Sequence, residues 1–421
     1  MEISNNQIIE SLRRGIPPER GVDLYSVGHE KLIEGIKRYH LSKISNRGII
    51  RFISGSWGAG KTHFFRLLRE ISFQNECLVS TVGLNADDAA LNKFEKIFYS
   101  IIRNITTPTF FSSNQTNEIA PFGRVLQESL AYLGNGTRLI CDQYSYAEYV
   151  QARELLMQDH SIDIDFKKIV QKYWETFLPD APDPSQQEQS RAEILQWFSG
   201  EGTASMYRQR FSVNKVVNRD NAKLMLQSLA GFVQLSGYKG LVILFDEAEQ
   251  AYSILRRSSL RDAHNNLLSL INSIDSLNGL FLVYATTPDF FTDPRHGIVV
   301  YGALAGKIGK PDECKPKALD TIWNFDEVEI GLSDYQNAGK KILGIYKNEY
   351  PEDIESLPSD QEVEKFVYDL SDIHPSLAGV RFWRVLVTAL IKYFDDRLEG
   401  ETRSTEEIYI DVMEQARNSE D

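Results

Sequence analysis

The sequence predicts an α/β protein: a parallel sheet carrying a helical insertion, followed by a helical C-terminal part. Three observations predict it. Residues 48–54 (GIIRFIS) form a short, β-branched apolar run that feeds a glycine-rich loop and then a helical segment over 61–71. Residues 241–245 and 280–285 are further apolar runs, each closing on polar residues. Strand followed by helix, repeated, is the pattern of a parallel sheet.

Taken in order, residues 4–14 read as a helix with Ser4 as N-cap and Ile8, Ile9 and Leu12 on one face. Gly15 and the Pro17-Pro18 pair stop it. A second helix over 29–39 carries Leu32, Ile33 and Ile36 as its apolar stripe. After the first strand and its helix, 77–84 (CLVSTVGL) predicts a second core strand and 90–105 another amphipathic helix. From about 106 to 239 the rhythm breaks. Helical segments fall near 123–133, 146–157, 166–177 and 221–235, and 178–190 (LPDAPDPSQQEQS) reads as a proline- and glutamine-rich loop. This stretch is expected to be a helical insertion between two strands. From 333 onward, helices over 333–346, 360–370, 377–394 and 404–416 suffice for a small bundle.

At 421 residues the chain is too long for one small core, and 42% apolar with 25% charged residues is ordinary for a folded globular protein. Its longest apolar runs fall well short of the roughly 20 residues a membrane-spanning helix needs. The polar start at 1–6 predicts no signal region, so a cytoplasmic protein without a membrane partner is expected. Cys77, Cys141 and Cys314 are widely spaced and make no CxxC, which predicts idle thiols in a reducing compartment. A net charge of −13 argues against a surface that coats nucleic acid as a whole. Two loose basic groups, Arg208, Arg210 and Lys215, and Arg256, Arg257 and Arg261, read as solvated helix faces or ion-pair partners before phosphate readers. The histidines show no paired spacing, so no metal cluster is expected from them.

The strongest chemical signal is Gly55-Ser56-Trp57-Gly58-Ala59-Gly60-Lys61-Thr62, which matches G-x-x-x-x-G-K-[ST] at every fixed position. Glycines let the backbone curl so that successive N–H groups point at phosphate oxygens. The helix that follows adds the positive end of its dipole. In this pattern Lys61 reaches the β- and γ-phosphates and the Thr62 hydroxyl ligates Mg²⁺.

A second signal is Gly240 to Glu247 (GLVILFDE): a buried strand whose carboxylates emerge at its C-terminal tip. Asp246 is expected to hold the Mg²⁺ shell and Glu247 to accept a proton from attacking water. Glu249 is more simply a helix-start acid. A third strand ends in Ala285-Thr286-Thr287-Pro288. Its hydroxyls either orient the lytic water or merely terminate the strand, and the pattern does not separate Thr286 from Thr287. Finally, Gly379-Val380-Arg381 places an arginine near a helix start, where it can reach a phosphate across a cleft.

Walker A, helical insertion, Walker B, an ATTP strand and a helical part with GxR resemble AAA+ proteins of the replication-initiator (origin-recognition) branch. More specifically, the chain resembles the BREX phage-defence ATP-binding family, particularly its smaller BrxD-type members. The matching stretches are 8–18 (IIESLRRGIPP), 25–30 (YSVGHE), GSWGAGKTHFFRLL, 193–201 (EILQWFSGE), 221–229 (NAKLMLQSL), 237–249 (GYKGLVILFDEAE) and ATTPDFF.

The resemblance implies an αβα nucleotide-binding core over 1–331, with the insertion at about 106–239, and a helical lid over 332–421. It implies ATP and Mg²⁺ as ligands, and Lys61, Thr62, Asp246, Glu247 and Thr286 or Thr287 as site residues. It makes Arg381 a sensor of the γ-phosphate and has the Val27-Gly28 region seat the adenine, although His29 stands beside it. AAA+ rings usually complete each site with a neighbour's arginine. Here Arg295, Arg257 and Arg261 are candidates, Lys307 stands where an arginine was expected, and the choice stays open. The short remainder after the lid leads us to expect no C-terminal winged helix. The expected function is therefore ATP hydrolysis that changes how insertion and lid meet a partner: another defence-system protein, DNA within such a complex, or further copies of the chain. The alternative is a scaffold that binds ATP for assembly and scarcely turns it over. A small-molecule kinase fits the paired acids and the ATTP strand less well.

Overall fold

A computed structural model describes residues 4–84, 92–112, 121–180, 183–247, 257–374 and 380–418. Six strands form one sheet: β1 (Ile49–Ser54), β2 (Cys77–Gly83), β3 (Ile105–Thr106), β4 (Gly240–Asp246), β5 (Leu280–Thr286) and β6 (Ile322–Asn324). Their order is β3-β2-β4-β5-β1-β6, and every pairing is parallel except β2 with β3. The α/β class read from the sequence is thus observed, with a mostly parallel sheet. The central strands are Val-, Ile-, Leu- and Phe-rich on both faces, as a sheet covered on both sides requires.

Strand alternation sorts the side chains into two layers. Ile49, Ile53, Val242, Leu244, Phe281 and Val283 face helices α1 (Glu30–Tyr39) and α2 (Lys61–Gln74). Ile50, Phe52, Ile243, Phe245, Leu282 and Tyr284 face the other way. There they meet α3 (Phe94–Asn104), α4 (Pro121–Asn135), α5 (Ile164–Glu175), α6 (Ala222–Leu235) and α7 (Arg257–Ser273) in one continuous core. Between β3 and β4 the described chain is helical, as the sequence reading expected. Trp174 anchors that region, fully buried with its indole N–H donated to the Leu126 carbonyl at 2.8 Å.

One stretch departs from expectation. Residues 178–190 are not a loop throughout, because Pro184–Phe198 is a helix. Asp183 caps it by accepting the Ser185 N–H, and Pro184 sits in the first turn, where a missing N–H costs nothing. Composition outweighed those two start signals. The Ala204–Phe211 and Arg257–Ser273 helices and the short strands β3 and β6 were not anticipated either.

The C-terminal helices α8 (Leu332–Glu349), α9 (Asp360–Ile373), α10 (Val380–Leu398) and α11 (Thr405–Asn418) share a separate apolar cluster. The N-terminal helix Asn5–Arg13 joins them: Ile8, Ile9 and Leu12 are buried in that same cluster. Arg13 locks the arrangement with a two-pronged pair to Asp395, at 2.9 and 2.6 Å. The two ends of the chain therefore pack as one unit. Among the described residues, no helix is long and apolar enough to cross a membrane. The three cysteines are free thiols, Cys77 buried and the other two exposed.

Candidate functional site

The chain leaves β1 at a point where its connections diverge. It runs from β1 to β2, on the far side of β4 and β5, whereas β5 connects to β6 across β1. Crevices at such switch points, beyond the C-terminal ends of strands, are where open α/β sheets bind ligands. The register brings several sequence-predicted residues to that edge: Ser54 lies opposite Thr286, and Asp246 opposite Gly83.

The loop from Gly55 to Thr62 starts here. Gly58 and Gly60 are left-handed, with φ of 83° and 82°, a conformation that side chains disfavour. Gly55 is needed for closeness instead: a Cβ there would lie 2.9 Å from the Ala59 Cβ and 3.2 Å from the Phe325 Cβ. Helix α2 begins at Lys61 behind Gly60, with no side-chain cap and no acidic residue in its first turn. Its leading N–H groups and dipole are thus left to an outside anion. Ala59 lies within this curl, its N–H donated to the Ser56 carbonyl at 3.1 Å. Trp57 is 69% exposed at the tip, with the Lys61 ammonium 5.8 Å from its ring centre. That ammonium donates to the Gly55 carbonyl at 2.6 Å and the Ser56 carbonyl at 3.1 Å.

Thr62 points its hydroxyl at Asp246, donating to Oδ2 at 3.3 Å. Burial pushes the Asp246 carboxyl above its ordinary range, opposed by the Glu247 N–H, the Thr62 hydroxyl and the Lys61 charge. A carboxylate strained in this way gains from a nearby cation. Among the described residues no group of three His, Cys, Asp or Glu could hold a metal alone. A hydroxyl and one carboxylate are the sparse oxygen set that suits Mg²⁺ shared with phosphates. Glu247 is exposed and left-handed, φ 56°, with its N–H donated to Asp246 Oδ1 at 3.0 Å. Non-glycine residues held there are strained, and such strain gathers at functional sites.

The structure distinguishes the two threonines by place. Thr286 closes β5, and its carbonyl accepts the Gly55 N–H at 3.1 Å. Its hydroxyl and that of neighbouring Ser54 are fully buried and have no hydrogen-bond partner among the described residues. Thr287 is 6% exposed, one residue beyond the strand. Arg381 has its backbone in α10, but its side chain and Gly379 lie outside the described residues, as do Glu249, Gln250 and Arg256. Arg210 is paired with Glu193, in keeping with an ion-pair role. Arg295, Arg261 and Lys307 are exposed, and the side chain of Arg257 is not described.

A family model described as BREX system ATP-binding protein BrxC/D matches residues 2–411. The chain belongs to this family. No curated protein matches it. Sequence reasoning did not find every residue at the edge of this BrxC/D chain's sheet. Asp326, just after β6, accepts the Ser56 N–H at 2.9 Å and the Ser56 hydroxyl at 3.1 Å across 270 positions of sequence. No local pattern announces such a contact. An open cleft of about 360 Å³ lies between Val27 and Glu30 on one side and Asn337, Lys340 and Lys341 of α8 on the other. The Val27-Gly28 segment thus faces the C-terminal helices.

Proposed function

We propose that this BREX family member is a magnesium-dependent ATPase of the AAA+ type. In this reading the loop from Gly55 to Thr62 holds the triphosphate through those of its main-chain amides that are not donated within the chain, and Lys61 turns from its carbonyl partners to the β- and γ-phosphates. Thr62 and Asp246 would hold Mg²⁺, which would supply positive charge to the phosphates. Glu247 takes the proton of the attacking water, and Thr286 or Thr287 orients that water. Arg381 senses the γ-phosphate. The core is 1–331 with its insertion at about 106–239, and 332–421 is a lid that closes over the base, seated in the cleft beside Val27. Turnover changes how insertion and lid meet another BREX component, DNA within that complex, or further copies of the chain in the cytoplasm.

One observation carries the reading. The uncapped start of α2, behind two left-handed glycines, has its second residue's hydroxyl 3.3 Å from the buried strand-end carboxylate Asp246. The test combines calorimetry with single-turnover hydrolysis. Wild type should take up ATP with magnesium and hydrolyse it. Lys61→Ala should bind at least about tenfold more weakly. Glu247→Gln should bind normally but hydrolyse about a hundredfold or more slowly. Absence of uptake refutes the nucleotide reading. Uptake with wild type no faster than Glu247→Gln leaves the ATP-gated scaffold instead.

A further inference from the structure

Asp326 stands out because it clamps the phosphate loop from a distant part of the chain. The unit it holds is the peptide between Gly55 and Ser56. Its N–H and the adjoining Ser56 hydroxyl go to the Asp326 carboxylate, at 2.9 and 3.1 Å. Its carbonyl accepts from Lys61 at 2.6 Å. A trans peptide points these two groups in opposite directions, so both poles of one plane are fastened. If Lys61 swings to a phosphate, the bonds to Asp326 are the hydrogen bonds left on this plane among the described residues.

The residues after Asp326 lead straight to the C-terminal helices. Phe325 is buried, stacked on His29 with ring centres 5.3 Å apart and set edge-on to Phe64 of α2 at 4.9 Å. Val328 packs on the core side, whereas Ile330 packs on the C-terminal cluster. Ile330 also sits against Gly28, where an added Cβ would lie 3.3 Å from its Cγ1. At Gly331 the N–H is donated to the Asp334 carboxylate at 2.9 Å, which starts α8. Residues 325–331 are thus a short strap. One end holds the loop, and the other begins the helix whose Asn337, Lys340 and Lys341 line the cleft.

We propose that Asp326 is a positioning residue that fixes the Gly55–Ser56 peptide when Lys61 leaves it, and so couples occupancy of the loop to the C-terminal helices through this strap. The proposal rests on the nucleotide reading above and adds a route for its regulation. It opposes a simple alternative, in which a carboxylate beside an anion site only repels the triphosphate. The two differ in sign.

The test uses full-length wild type, Asp326→Ala and Asp326→Asn, with ATP and magnesium as probe. Thermal melting without nucleotide checks that each variant is folded. Binding is read by calorimetry, and coupling by amide hydrogen exchange over 325–349 with and without ATP. Asp326→Ala should bind about five- to tenfold more weakly and lose the ATP-induced protection of 325–349. Asp326→Asn keeps an acceptor oxygen and should stay within about twofold of wild type, with its protection intact. If Asp326→Ala binds as well as wild type or better, or keeps the full protection change, the proposal falls. It falls too if Asp326→Asn is as impaired as Asp326→Ala. Wild type failing to take up ATP sinks the nucleotide reading as well; wild-type uptake with an unaltered Asp326→Ala sinks this proposal alone.

Discussion

Acidification should destabilise this protein through histidines that the fold buries uncharged, His29 and His40 among them. His29 lies between Phe325 and Phe64, 8% exposed, and its Nδ1 has no partner among the described residues. His40 is fully buried; its Nε2–H donates to the Ala318 carbonyl at 2.6 Å, and its Nδ1 is likewise unpartnered. Desolvation lowers both rings from 6.5 to about 4. A histidine depressed in the folded state contributes stability that is present above the unfolded value of 6.5 and lost as pH falls towards 4. At pH 5 the unfolded chain binds nearly one more proton per ring, so each ring costs about 2 kcal/mol, and the pair about 4. That is a large part of a typical stability of roughly 5–15 kcal/mol. Urea unfolding followed by tryptophan fluorescence at pH 7.5 and 5.0 measures the loss. His29→Phe keeps an aromatic ring between the same two neighbours and should recover about 2 kcal/mol of it at pH 5. Stability within 1 kcal/mol (about the accuracy of the extrapolation) at the two pH values would refute the reasoning. An acid loss in His29→Phe equal to that of wild type would do the same.

Two further outcomes are expected. Thr62→Ala removes the hydroxyl beside Asp246, so ATP affinity with magnesium should drop about tenfold. Uptake in excess chelator should be unchanged; paired calorimetric titrations check both. Glu128 is fully buried and accepts from Arg124 at 2.6 Å, Tyr238 at 2.5 Å and Thr107 at 3.2 Å, besides Thr109. Glu128→Ala strands those donors, arginine included. It should cost about 3–5 kcal/mol, read as a lowered urea midpoint.

What was legible from the sequence follows from how local its causes are. The stretch from β1 through the loop to α2 could be read because strand, turn and helix are each fixed by neighbouring residues: β-branched Ile49, Ile50 and Ile53, then left-handed glycines, then an amphipathic helix. The buried strands β4 and β5 were equally plain, since among the described residues no other element puts so many consecutive apolar side chains out of water. β6 is three residues long, too short for any period to appear. The Pro184–Phe198 helix was hidden by its polar surface, with only Ile194, Trp197 and Phe198 buried. Contacts made across the chain had no local sign at all: Asp326 on Ser56, Arg13 on Asp395, and the N-terminal helix in the C-terminal cluster. Each is settled by packing, which a single sequence does not display.

One such non-local feature completes the physical picture. Segment 22–30 is held from both sides. From α2, Glu70 accepts the Val22 and Asp23 N–H groups at 3.2 and 3.0 Å. His63, next to Thr62, pairs with the Ser26 hydroxyl at 2.8 Å. That hydroxyl already donates to the Val22 carbonyl at 2.7 Å, so the His63 ring N–H must be the donor. Burial holds this ring's pKa down at about 3, which keeps it neutral. From α8, Lys341 donates to the Ser26 carbonyl at 2.6 Å. A single residue, Ser26, therefore bridges the helix that begins at the phosphate loop and the helix that begins the C-terminal bundle. Together with the strap at 325–331, this gives two separate ties between the same two bodies. Two ties at different points resist rotation where one would act as a pivot. A displacement of α2 therefore either moves α8 with it or breaks a link of this chain, His63–Ser26 or Lys341–Ser26.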